Sequence, residues 1–312
     1  MHDAKLFRIG QDFVESLPSS SVALEKSLQT LIERHLETLL GVRFIATEHV
    51  TGAIHGGRID TLGLDENNCP VIIEYKRALN ENVINQGLFY LNWLMDHRDA
   101  FRWLVLKKYG EPVADAIDWS APRLLCVAGD FTKYDEHAVQ QIPRNIELIR
   151  YRRYGEDLLL LELAASTSVG ATPPAKPSPS KPIAATPQAQ VPTDKLYVLQ
   201  LLDKCPPPVR DRFEALRAFA LALGNVEERT VKHYISFRRL KSFVNVMFRP
   251  QAGRIIIYVN VSPDDVSLEP GFAQDMRSKP GYTGSWQLEL TINSDDDATR
   301  AEPLIRRSYE AS

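Results

Sequence analysis

Thirty consecutive residues, 164–193, read AASTSVGATPPAKPSPSKPIAATPQAQVPT and contain neither an acidic nor an aromatic side chain. Seven of the chain's 20 prolines fall between Pro173 and Pro192. Such a stretch buries too little apolar surface to offset the entropy of ordering it. Its prolines bias it towards an extended, semi-stiff coil of about 3.1 Å per residue. One core therefore does not run through all 312 residues. The sequence predicts a domain over 1–163, a linker over 164–193 and a second domain over 194–312, and no internal repeat relates the two domains.

The first domain alternates between helical and strand periods. A helix is expected over 22–40, VALEKSLQTLIERHLETLL, stopped by Gly41 as its C-cap. Strands are expected over 43–50, 57–65 and 71–77, then helices over 81–97 and 99–108. A strand over 123–129 and a hairpin over 146–163, turning at Tyr154-Gly155-Glu156-Asp157, complete it. This order predicts an α/β domain with a mixed central sheet.

The segment VIIEYKR, 71–77, raises the chemical question. Val71-Ile72-Ile73 has the β-branched composition of a buried strand. Alternation puts Glu74 and Lys76 on one face and Tyr75 on the other. A short ENNCP turn links this strand to GRIDTLGLD, so the two are expected as neighbours, with Asp60 close to Glu74. Two carboxylates beside an ammonium suit a hard cation such as Mg²⁺ or Mn²⁺, which takes oxygen ligands and keeps several waters. Set against a phosphodiester, such an ion polarises a phosphoryl oxygen and acidifies a bound water, while the ammonium offsets developing charge.

The flanking helices add candidates. Projected at about 100° per residue, Leu24, Leu28, Leu31, Ile32, Leu36, Leu39 and Leu40 mark the apolar face of the first helix, and Glu25 falls inside that arc. Either a metal cluster or Lys76 partners it, or it reaches solvent at the helix N-terminus, where acids are favoured. On the second helix Gln86 and Tyr90 are four apart and share one stripe.

The ordered set Glu25, Asp60, Glu74-Tyr75-Lys76 and Gln86-x-x-x-Tyr90 resembles the PD-(D/E)xK nuclease superfamily. Within it, GRIDTLGLDENNCPVIIEYKR followed by VINQGLFYLNWL is similar to the catalytic domain of NucS-type DNA endonucleases, over roughly residues 21–108. The resemblance implies a restriction-endonuclease-like fold, Asp60 and Glu74 as metal ligands and Lys76 as the water-orienting residue. It implies Glu25 as an accessory acid, with Gln86 and Tyr90 supporting the site or contacting nucleic acid. Ile59, not proline, precedes Asp60 here. NucS-type enzymes carry an N-terminal DNA-binding domain, so their grip on DNA is not carried over to this chain.

The second domain reads as α+β and smaller. A helix is expected over 208–223, strands within KHYISFRRLKSFVNVMFRP, GRIIIYVNVS and GSWQLELTINS, and a closing helix whose first turn holds Asp295, Asp296 and Asp297. Residues 229–254 hold seven Lys or Arg and no acid: Arg229, Lys232, Arg238, Arg239, Lys241, Arg249 and Arg254, interleaved with Tyr234, Phe237, Phe243 and Phe248. Either this is a nucleic-acid surface of cations and stacking platforms, or a half-buried sheet with aromatics inward. YISFRRLKSFVNV, GYTGSWQLELTINS and LIRRSYE resemble a C-terminal domain of unknown function that often carries the label "predicted transport protein", over nearly all of 194–312.

A net charge of -3 confines any basic binding surface to a patch. No run of about 18 apolar residues predicts a membrane span. The N-terminus has no apolar secretion core, and the three cysteines have no metal-ligand spacing. The expectation is therefore a cytoplasmic, metal-dependent nuclease acting on DNA in repair or defence. Asp60, Glu74, Lys76, Glu25, Gln86 and Tyr90 would be at its site, and Arg58, Arg77, Lys232, Arg238, Arg239 and Lys241 would meet nucleic acid. A homodimer, or a partner protein held through the second domain, is compatible with this reading. The alternative is a non-catalytic nucleic-acid-binding or adaptor protein that retains the nuclease fold.

Overall fold

The computed structural model describes residues 5–20, 25–52, 56–76, 82–155, 157–167 and 197–312. The chain divides into two compact units, residues 1–167 and 168–312, both mixing helices and strands.

In the first unit a hairpin of β1 (Leu6–Ile9) and β2 (Val14–Leu17) forms a sheet of its own. Then follow β3 (Ser19–Ser20), α1 (Glu25–Arg34), α2 (Leu36–Leu40), β4 (Val42–Val50), β5 (Arg58–Asp65) and β6 (Pro70–Lys76). Helices α3 (Asn82–Asp96), α4 (Arg98–Tyr109) and α5 (Glu111–Asp115) lead to β7 (Arg123–Ala128). Helix α6 (Lys133–Gln140) and the hairpin β8 (Asn145–Tyr154), β9 (Leu158–Thr167) close the unit. The main sheet runs β3-β8-β7-β6-β5-β4, with β9 on β8. Strands β6, β7 and β8 are parallel and the remaining pairs antiparallel.

The continuous apolar run of β6 has its reason here. Parallel strands are covered on both faces and need no polar alternation. Ile72, Leu124, Cys126 and Leu148 join the core beneath α3 and α4, with Leu91, Leu94, Phe101 and Val105. Tyr75 faces the other way, its hydroxyl near Thr61, which in turn bonds Glu33 of α1. The helix expected over 22–40 is two helices. It breaks at His35, whose N–H bonds Ile32 O at 3.1 Å; residues 21–24 lie outside the described residues. Gly41 does stop the second helix, at φ 66° with its N–H on Glu37 O. Strand β9 also runs four residues into the expected linker, pairing Leu148 with Ala165 and Ile146 with Thr167; residues 168–193 of that linker lie outside the described residues.

The second unit contains α7 (Tyr197–Asp203), α8 (Pro207–Ala222), β10 (Glu227–Thr230), β11 (Ile235–Arg238), β12 (Ser242–Arg249), β13 (Arg254–Val259), β14 (Ala273–Asp275), β15 (Leu288–Ile292) and α9 (Asp295–Glu310). Its sheet is antiparallel, in the order β10-β11-β12-β13-β15-β14. Phe213 and Leu216 of α8 and Leu304 and Ile305 of α9 pack on Phe248, Ile255 and Ile257. Ser294 and Asp297 form a reciprocal capping box at the start of α9, which accounts for one of the three aspartates.

Candidate active site

Backbone pairing between β5 and β6 stops one residue short of the two acids. The ladder runs from Leu64–Pro70 to Thr61–Ile73. At the next pair, Asp60 and Glu74, side chains take over. The Asp60 N–H donates to Glu74 Oε1 at 3.2 Å, and the Tyr75 N–H donates to Asp60 Oδ2 at 3.0 Å. Beyond this point β5 follows β4, pairing Ile59 with His49 and Arg58 with Val50. Strand β6 follows β7, pairing Glu74 with Cys126 and Lys76 with Ala128. The sheet forks at the acids, and each carboxylate caps an amide of the opposite strand.

Glu74 has no solvent exposure, while Asp60 and Lys76 are half-buried. Lys76 follows Glu74 on the same face by alternation. The surroundings register the negative charge. The Tyr75 hydroxyl is pushed up, first by burial and then by Glu33, Asp60 and Glu74. The Cys126 thiol is pushed up by burial, with Glu74 adding to it. Two carboxylates on adjacent strands are hard oxygen donors, of the kind Mg²⁺ and Mn²⁺ select. Among the described residues, no three or more His, Cys, Asp or Glu side chains gather into a metal-holding group. An ion at Asp60 and Glu74 would complete its shell with other oxygens: backbone carbonyls, water or a phosphate.

Helix α1 buttresses β5 from one face. The Gln29 amide is buried and donates to Asp60 O at 2.9 Å, Glu33 Oε1 at 3.0 Å and Thr47 Oγ1 at 3.1 Å. Thr61 Oγ1 donates to Glu33 Oε1 at 2.6 Å. Glu33 is thus an α1 acid beside β5; the Glu25 side chain lies outside the described residues, as does Arg77. Helix α3 supplies Tyr90, buried, whose hydroxyl accepts from the Arg58 N–H and from Gln86 Nε2, each at 3.1 Å. Gly57 makes room for it, since a Cβ there would lie 2.6 Å from the Tyr90 ring. Tyr90, bonded by Gln86, thus tethers the start of β5.

Glu48 completes the surroundings. The ladder pairs Thr47 with Thr61 and His49 with Ile59, so Glu48 stands opposite Asp60. Its backbone is left-handed, φ 50°. Its carboxylate accepts from Lys26 Nζ at 2.6 Å and pairs with Arg58 Nε. The hydrogen bond from Lys26 is the main influence holding its carboxyl below the usual range, against the effect of burial. A left-handed non-glycine residue costs about 1–2 kcal/mol, while exposed ion pairs return about 0–1 kcal/mol each. Stabilisation alone scarcely recovers that cost.

Sequence reasoning missed Gln29, Glu33, Lys26 and Glu48. A signal existed for two of them: Gln29 and Glu33 are four apart and flank the apolar stripe of Leu28, Ile32 and Leu36.

Of the two readings open for the basic run of the second unit, burial favours the half-buried sheet. Arg238 is buried, its guanidinium donating to Leu240 O at 3.0 Å. Arg229 is buried too, paired with Glu227. Tyr234, Phe237, Phe243 and Phe248 point into the core and offer no stacking platform. Arg239 lies 4.7 Å from the Tyr309 ring centroid, and Lys232 and Lys241 are half-buried. The half-buried sheet accounts for this segment. No described helix is long and apolar enough to cross a membrane.

Residues 199–312 match a family described as Domain of unknown function (DUF5655), in agreement with the resemblance read from the sequence of that region. Over 310 residues the chain is 26% identical to an uncharacterized protein of Haemophilus influenzae, covering 98% of this chain and 99% of that one. Among solved structures, the chain is similar to a repair endonuclease from Pyrococcus abyssi, at 20% identity and a TM-score of 0.28. It is also similar to the protein in a structure of an EndoMS–dsDNA complex, at 19% identity and a TM-score of 0.25. Each likeness covers 41% of this chain and 46% of the other, so the chain spans less than half the length of these solved structures.

Proposed function

We propose that the first unit is a metal-dependent nuclease of restriction-endonuclease-like fold that hydrolyses phosphodiester bonds, with DNA as its substrate. The observation that carries this reading is the fork: two acids from neighbouring strands cross-cap one another's backbone at the point where the sheet opens, with Lys76 on the same face as Glu74. In this reading Asp60 and Glu74 hold Mg²⁺ or Mn²⁺, which supplies Lewis-acid polarisation of the phosphate and acidifies water. Lys76 places its ammonium against the charge that develops on the phosphoryl oxygens. Gln29 and Tyr90 fix β5, so that Asp60 keeps its place relative to β6.

The test is cleavage of labelled single-stranded, duplex and branched DNA with Mg²⁺ or Mn²⁺, comparing the parent with Glu74→Ala. Cutting by the parent that disappears in the variant is the expected result. Parent protein that binds these DNAs and cuts none would replace the reading with a non-catalytic binding module.

A further inference from the structure

Lys26, Glu48 and Arg58 form a cluster beside the fork; the sequence alone marks Arg58 for nucleic acid, and the proposed cleavage chemistry uses none of the three. The two cations come from different elements, α1 and β5, and meet on one carboxylate of β4. Their side chains are 64% and 65% exposed, whereas that of Glu48 is 24% exposed. The outer faces of both cations thus stay open to solvent, and an anion lies between them. Arg58 and Asp60 are two apart on β5 and share a face. Lys26 reaches the same strand through Gln29, donating to Gln29 Oε1 at 3.2 Å while Gln29 donates to Asp60 O.

The charges also have an order. From β4 to β6, Glu48, Asp60 and Glu74 occupy one row across three strands. The outermost of these acids is clasped by a pair of exposed cations. It is held there by a left-handed backbone that glutamate adopts at a cost, so the contact is imposed by the fold and is no chance meeting of long surface side chains. A carboxylate gripped by an ammonium and a guanidinium has the same recognition chemistry as a phosphate diester gripped by them.

We infer that Lys26 and Arg58 are a binding pair for a backbone phosphate of the nucleic acid, and that Glu48 occupies the phosphate's place until the strand arrives. This rests on the proposed nuclease reading and identifies how the strand is gripped next to the fork. Binding exchanges one anion for another between the same two cations. The displaced Glu48 carboxylate moves into solvent, and condensed counterions leave the strand.

The experiment is fluorescence anisotropy of labelled single-stranded and duplex DNA with the full chain in EDTA, so that nothing is cut, titrated over salt. Lys26→Ala and Arg58→Ala should each weaken binding and reduce the slope of log Kd against log salt by about 1. Glu48→Gln, which keeps the shape and removes the competing charge, should tighten binding several-fold at low salt. Unchanged slopes in Lys26→Ala and Arg58→Ala overturn the inference. So does a Glu48→Gln variant that binds no more tightly than the parent, which would make Glu48 a structural tie only. Absence of DNA binding by the parent overturns it as well. Cleavage with Mg²⁺, run in parallel on the parent, separates the two proposals. Slopes that shift without any cutting sink the nuclease reading alone, and cutting with unshifted slopes sinks this one alone.

Discussion

Tyr90→Phe removes a single oxygen and tests how the site is held. That oxygen accepts two hydrogen bonds, from the Arg58 N–H and from Gln86 Nε2, each at 3.1 Å. The ring stays, so little packing is lost. A typical net hydrogen bond contributes about 1 kcal/mol, and a donor left without an acceptor in a buried place costs about 1–3 kcal/mol. Gln86 is half-buried and recovers water; the Arg58 amide does so less readily, facing a side chain only 5% exposed. Together these give a loss of about 2 kcal/mol, or roughly 4–8 °C in the melting of a unit of this size. The more direct readout is hydrogen exchange. The Arg58 amide should exchange up to roughly 30-fold faster, while amides in β7 and β8 keep their rates. Exchange at Arg58 within twofold of the parent would refute the reasoning, since it would mean that Tyr90 does not hold the start of β5.

Three further outcomes follow from other contacts. Gly57→Ala should push the Tyr90 ring aside, because the new Cβ would lie 2.8 Å from its hydroxyl; its destabilisation and that of Tyr90→Phe should sum to less than additive in the double variant, measured by thermal melts. Lys76→Ala should abolish cutting yet keep the Mg²⁺-dependent rise in melting temperature, which Asp60→Asn should lose; a parent that shows no such rise counts against a metal at these acids. Asp65 lies buried beside Glu66, Glu147 and Arg123, and burial, with Glu66 adding to it, pushes its carboxyl up to about 6. The unfolded chain ionises this group first, so its contribution to stability is complete below about pH 4 and is lost by about pH 6, a change of about 3 kcal/mol. Asp65→Asn should flatten the pH dependence of denaturant unfolding over that window, and an unaltered slope would show that Asp65 titrates normally.

What could be read from the sequence was what short-range patterns determine. The strand pair around the ENNCP turn, the helix stop at Gly41 and the turn after Tyr154 each follow from a few adjacent residues, and they sufficed to bring Asp60 to Glu74. The fork is different. It depends on where two ladders end, and no local composition says that β5 leaves β6 at Thr61. The reach of β9 to Thr167 is also non-local, because Ala164, Ala165 and Ser166 have little strand preference of their own and are held by β8. The burial of Arg238 is non-local as well. Pairing between β11 and β12 shifts register between Phe237 and Arg238, and a bulge re-aims the side chain beside it, which composition along the basic run does not reveal. Glu33 is brought to Thr61 by the packing of α1 on the sheet, which a helical projection cannot locate.

The crossed capping at Asp60 and Glu74 makes the sheet a jig for its own acids. Because each carboxylate is pinned to the other strand's backbone, the gap between the two groups is set by how the two strands part, and rotamer choice has little say in it. Side-chain length thus becomes as constrained as charge. Exchanging aspartate and glutamate between the two positions would conserve every charge and still misfit both caps, because one arm would overshoot its amide and the other would fall short. An acid of the right kind but the wrong length is a foreign part in this frame.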